Sequence, residues 1–243
     1  MSKGKLQTYH ARPFEIPTGS KTITPIILSD SKGFNLKEQA TNIVEQNMKW
    51  WCKPGRDSTQ TLNWIRQNIS DQFGHYDNIA LYIWISTCDL TRKNKQYIPL
   101  ANHDNSSLNT IKEHFEEIAK ILQSYPACTL IFLEISVYSI YIPTKYKGHK
   151  EPNQFKEQDE LLISQVRALN DYIRKLNIRL QKTSPNFSQE INHKKSSNSK
   201  NKYQLLRDNY NFTLYRDGLH PARELARTWL RKIAIKIREE CWE

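Results

Sequence analysis

Two short stretches of this chain carry the residue types that turn a hydroxyl into a nucleophile. Ser29-Asp30-Ser31 follows an apolar run, and Asp217-Gly218-Leu219-His220 stands before the last helical pattern. A serine hydroxyl is a poor nucleophile at neutral pH until a base takes its proton, and that base needs a carboxylate to fix its tautomer. Asp217 and His220 lie three residues apart on a turn, a spacing that lets both side chains enter one site. The same spacing also serves simply to cap a helix, and Ser31 alone reads equally as a turn serine. Asp30, Asp89 and Asp217 offer a different chemistry, a carboxylate cluster for a divalent cation. Taken singly, Asp30 and Asp89 read as residues that orient backbone at strand ends, and Cys88 as a small buried residue. No G-x-x-x-x-G-K-[ST] loop is present to cradle phosphates, and the remaining histidines lack metal-ligand spacing.

These residues need a scaffold, and the apolar pattern supplies one. Residues 24–28 (TPIIL) form a short apolar run that ends in a polar turn, which predicts a buried strand. Residues 48–52 predict a second strand, closed by Pro54-Gly55. Asp57 or Ser58 then caps a helix through Leu62, Ile65 and Ile69. Residues 78–86 (NIALYIWIS) are continuously apolar, as in a strand covered on both faces. Residues 105–124 and 155–180 repeat their apolar positions at helical spacing. Between them, residues 129–142 (TLIFLEISVYSIYI) are the strongest strand signal, and residues 203–206 predict a fifth, short strand. The last helix starts near Pro221, with Leu225, Trp229, Ile233 and Ile237 on one face. Strands alternating with helices favour a three-layer α/β/α sandwich around a mainly parallel, five-stranded, flavodoxin-like sheet. In such sheets, sites form beyond the carboxyl ends of the strands. Residues 1–22 are expected to form a polar extended arm, residues 23–243 the domain, and residues 182–202 a flexible Lys/Ser/Asn-rich loop within it.

The chain has 243 residues, enough for one sizeable core, and a net charge of +11. Such a surplus suits polyanions, nucleic acid among them. Arg223, Arg227 and Arg231 form a stripe at four-residue spacing, and Lys194 and Lys195 lie in the polar loop; both are candidate phosphate contacts. The competing reading is a solvated helix face beside a loop. Cys52, Cys88, Cys128 and Cys241 form no C-x-x-C pair, so neither a zinc site nor a disulfide framework is indicated. No apolar run approaches a membrane span, and the first residues lack the apolar core of a signal peptide. An intracellular setting, cytoplasmic or nuclear, is the expectation.

The order of these segments resembles the SGNH (GDSL-type) hydrolases over roughly residues 24–238. ILSDSKGFNL is similar to the family's first block, PGRDSTQTL to the second, IWISTCDLT to the third, and RDGLHPARELARTWL to the last. The resemblance implies a serine esterase that needs no cofactor and acts on a small-molecule or polymer-borne ester. It assigns Ser31 as nucleophile, His220 as base and Asp217 as its orienting carboxylate. The N–H groups of Ser31 and Gly55 would hold the oxyanion. Cys88 stands where the family has an asparagine amide, and a thiol is a weak donor. Ser29 and Ser86 replace family glycines, and Thr87 or Ser29 offers a replacement hydroxyl. The alternative implied by the same resemblance is a catalytically weak relative that binds nucleic acid, as in retroelement- or virus-associated members. A metal-dependent phosphoesterase using the aspartates is a third reading.

Overall fold

The computed structural model describes residues 1–193 and 205–243. Its sheet is built from β1 (Thr24–Ser29), β2 (Lys49–Cys52), β3 (Ile79–Trp84) and β4 (Cys128–Phe132). All neighbours run parallel, in the order β2-β1-β3-β4. Every residue of β3 is buried, as is every residue of β1 after Thr24, which explains their unbroken apolar sequences. Nine α-helices are present among the described residues: α1 (Lys3–His10), α2 (Ser31–Lys37), α3 (Ile43–Gln46), α4 (Ser58–Phe73), α5 (Thr87–Leu90), α6 (Ser106–Leu122), α7 (Tyr141–Tyr146), α8 (Gln154–Arg179) and α9 (Arg223–Cys241). Helices α4, α6 and α8 pack together in one layer; α1, α2 and α3 gather around α9 in the other. Side chains start several of them: Asp30 accepts from Lys32 N (2.8 Å), Asp57 from Gln60 N (2.7 Å), and Asn42 closes a capping box with Glu45. Among the described residues, no helix is long and apolar enough to cross a membrane.

The sheet has four strands among the described residues, not the expected five. Residues 129–142 leave the sheet after Phe132, although their sequence stays apolar. Beyond that point, side chains replace a neighbouring strand. Asn177 accepts from Phe132 N (3.0 Å) and donates to its carbonyl (2.7 Å); Asn170 does the same for Ile135 (both 2.8 Å). Ser184 accepts from Glu134 N (2.7 Å) and Ser188 from Val137 N (3.1 Å). The backbone groups that a fifth strand would satisfy are therefore already paired. The strand expected at 203–206 lies partly outside the described residues, and Leu206 begins a 3₁₀ turn, Leu206–Asn209.

Three further expectations are corrected. The N-terminal segment is not an extended arm. Helix α1 packs on α9 with Leu6 wholly buried, and Arg231 donates to the Pro13 carbonyl (2.6 Å). The arginine stripe is consequently no open phosphate surface. Arg231 is buried, with its guanidinium 5.3 Å from the Tyr9 ring and 5.5 Å from Phe14. Arg227 pairs with the buried carboxylate of Glu45, while Arg223 is exposed. Lys194 and Lys195 lie outside the described residues. The first part of the expected flexible loop is docked: Phe187 is buried between Trp84 and Trp229, with centroids at 5.3 and 5.7 Å.

Candidate active site

Strand order places a switch point between β1 and β3, whose following loops diverge to opposite sides. Ser31 stands there, as the first residue of α2 directly after the Asp30 cap. The close seat of α2 on the sheet depends on Gly33. A Cβ at that position would lie 2.4 Å from Cys52 Sγ and 2.9 Å from Ser29 Cβ.

The second half of the site is a tight turn. Gly218 has φ +84°, a region that glycine enters without strain, and its carbonyl accepts from Ser139 N (3.0 Å). Asp217 Oδ1 accepts from the N–H groups of His220 (2.7 Å) and Leu219 (3.0 Å). Asp217 Oδ2 accepts from His220 Nδ1 (2.8 Å), and His220 Nε2 lies 3.1 Å from Ser31 Oγ. An ionised carboxylate only accepts, so Nδ1 carries the proton and Nε2 of the neutral ring is left to accept from Ser31. Burial alone would raise the Asp217 carboxyl. The His220 ring bond and the backbone N–H bonds of His220 and Leu219 outweigh it and hold the carboxyl well below the usual range.

Ser31 and His220 open on a cavity of about 370 Å³, whose walls include Gly55, Thr87, Cys88, Ile98 and Leu219. Gly55 adopts φ +73° in the turn after β2. Burial pushes the Cys88 thiol up to about 12, so it is neutral and offers no thiolate. Sequence reasoning missed Lys32, which also lines the cavity yet is only 3% exposed. Its ammonium donates to Thr87 Oγ1, lies 3.5 Å from Asp30 Oδ2, and sits over the rings of Trp84 (5.4 Å) and Tyr138 (5.8 Å). The one local signal was its place in the first turn of α2, immediately after Ser31.

The three aspartates do not share a centre. Asp30 faces Lys32, and Asp217 faces His220. Asp89 accepts from Ser58 N (3.0 Å) and Ser58 Oγ (2.5 Å), with Ser58 Oγ in turn 2.8 Å from His114 Nδ1. Among the described residues, no group of three His, Cys, Asp or Glu side chains is arranged to hold a metal ion. The cation-cluster expectation is therefore set aside.

The geometry can move a proton from Ser31 to His220 while Asp217 stays ionised, beside a cavity large enough for a small acyl group. No family model matches the sequence, and no curated protein matches it. Solved structures do match. One is a Bacteroides fragilis protein described as an acylhydrolase, with TM-score 0.61 and 11% identity over 97% of this chain and 94% of that one. A GDSL-like lipase from Bacteroides thetaiotaomicron gives TM-score 0.58 and 13% identity over 98% of both chains. An acetyl xylan esterase gives 0.54 and 12%, over 90% of this chain and 99% of its own. Identities this low speak to architecture alone, and on that evidence the chain has the three-layer α/β/α fold of the SGNH hydrolases.

Proposed function

We propose that this protein is a serine hydrolase that cleaves acyl esters, with Ser31 as nucleophile. The observation that carries the reading is the unbroken hydrogen-bonded chain from Ser31 through His220 to Asp217, opening on a cavity with apolar walls. Ser31 Oγ attacks the ester carbonyl as its proton passes to Nε2 and the C=O electron pair moves onto oxygen. The N–H groups of Ser31 and Gly55 receive that oxyanion. Collapse expels the alcohol, which takes the proton from His220, and leaves an acyl-Ser31 ester. Water then attacks this ester with His220 again as base, releasing the carboxylic acid and restoring Ser31. The chemistry needs no cofactor. That proteins of the same fold are described as a lipase and an acetyl xylan esterase supports the reaction class without naming the substrate.

Labelling by a fluorophosphonate probe tests the reading. Wild type should label at Ser31, and Ser31→Ala and His220→Ala should not. A folded wild-type protein that fails to label, and that leaves p-nitrophenyl acetate intact, would overturn it.

A further inference from the structure

In the reading above, the N–H groups of Ser31 and Gly55, residues that line the cavity, hold the oxyanion, and the Cys88 thiol is a weak third donor. Of the two hydroxyls that might replace an amide there, Ser29 is wholly buried beneath Gly33 and away from the cavity, whereas Thr87 lines it. The Lys32 contact decides the role of the Thr87 hydroxyl. Lys32 Nζ has three protons and no lone pair, so in the Lys32–Thr87 hydrogen bond Thr87 Oγ1 must accept. The Thr87 proton is thereby freed for another acceptor, and among the described residues the hydroxyl makes no second bond. The residue itself is held still. Its carbonyl accepts from Thr91 Oγ1 (2.8 Å) and Tyr138 Oη (3.2 Å), and a β-branched side chain has little χ1 freedom.

A buried ammonium is costly unless it is paired. Lys32 has Asp30 and two ring faces to offset that cost, and its ammonium also hydrogen-bonds the Thr87 hydroxyl at the cavity wall. We propose that Thr87 is the third oxyanion donor and that Lys32 is its positioning residue, orienting and polarising the Thr87 hydroxyl; the proposal rests on the hydrolase reading above. A fixed positive charge behind the donor, shielded from water, strengthens it as negative charge develops on the substrate oxygen. The sequence SDSK thus places the nucleophile and the orienting cation side by side, and α5, after β3, carries the donor that Lys32 meets.

The test is steady-state hydrolysis of p-nitrophenyl acetate by the full chain, alongside fluorophosphonate labelling of Ser31. Thr87→Val, which keeps shape and loses the hydroxyl, should lower kcat about 10²–10³-fold with little change in KM. Thr87→Ser, which keeps the hydroxyl, should recover most of that loss. Lys32→Met should lower kcat in the same sense, and adding it to Thr87→Val should cost little more, because Lys32 acts through Thr87. Wild-type kcat in Thr87→Val, or equal damage in Thr87→Ser and Thr87→Val, would overturn the proposal while leaving the hydrolase reading intact. If Lys32→Met does not fold, the two Thr87 variants decide alone. Absence of labelling and turnover in wild type would remove the hydrolase reading, and this proposal with it.

Discussion

Asp217→Asn preserves the size of the side chain and reverses its hydrogen-bond logic. The carboxylate accepts three bonds: Oδ1 takes the N–H groups of His220 (2.7 Å) and Leu219 (3.0 Å), and Oδ2 takes His220 Nδ1 (2.8 Å). An asparagine has a single accepting oxygen. With that oxygen on the two backbone donors, its NH₂ faces Nδ1. The ring proton then moves to Nε2, and Ser31 meets a nitrogen that cannot take its proton. Flipping the amide restores the tautomer but strips two backbone N–H groups of their acceptor. Each such loss costs roughly 1–3 kcal/mol, so the active arrangement is reached at about 2–6 kcal/mol. At about 1.4 kcal/mol per factor of ten, kcat/KM should fall between about 30-fold and about 10⁴-fold. Asp217 is 40% exposed, and water can relieve part of the penalty, which favours the lower half of that range. The assays are p-nitrophenyl acetate hydrolysis and the second-order rate of fluorophosphonate labelling, with circular dichroism as the check on folding. A folded variant that loses less than about tenfold would refute the tautomer argument. It would leave Asp217 as the residue that ties the turn before α9 through the N–H groups of Leu219 and His220.

Burial raises Asp89 to about 6, so between about pH 4 and 6 the folded protein holds a proton that the unfolded chain has released. That contribution to stability is full below about pH 4 and lost as pH rises through about 6, on the order of 3 kcal/mol. Urea denaturation should therefore show Asp89→Asn gaining on wild type from pH 4 to pH 8, and a pH-independent difference would count against it. Asn177→Ala removes both partners of the Phe132 peptide at the sheet edge and should destabilise by about 2–4 kcal/mol, readable in the same titration. Ser86→Gly should stabilise by about 1–3 kcal/mol, since Ser86 has φ +95° and a buried hydroxyl with no partner among the described residues. A loss of stability there would mean that the Ser86 side chain makes a contact of value.

The parts of the fold legible in the sequence are those set by local periodicity. The unbroken apolar run at 78–86 and the four-residue recurrence of Leu225, Trp229, Ile233 and Ile237 each allow one element type, and both elements form there. Ser31 and the Asp217–His220 turn could be brought toward one rim on paper because parallel strands send their following loops to the same edge. The misreadings share a cause, which is that the deciding partner is distant in sequence. Residues 133–139 look like strand, but side chains tens of residues away, Asn170, Ser184 and Ser188, take up the N–H groups of Ile135, Glu134 and Val137. Helix α1 has one buried residue, Leu6, and so presents almost no amphipathic signal. Arg231 reads as solvated until α1 and the residues after it cover it.

Several costly features of this chain lie close to the candidate site. Ser86 in the left-handed region, the partnerless buried hydroxyls of Ser29 and Ser86, and the buried Lys32 ammonium all lie at or beside the ends of β1 and β3. Each is a few tenths to a few kcal/mol less favourable than a plain alternative: glycine at 86, alanine at 29, leucine at 32. Buried polar atoms lacking a partner among the described residues also occur elsewhere, at Arg56, Thr144 and Gln165 for example, so what marks these is their place beside the cavity and not their rarity. The strain at Ser86 and the buried Lys32 ammonium, which flank Thr87, fit the reworked oxyanion wall proposed above, because strain and desolvated polar groups are kept where geometry must be held for chemistry. The cavity wall formed by α5 is therefore the part of the site where this chain's own chemistry should be sought, and the Thr87 pair of variants is the most direct way into it.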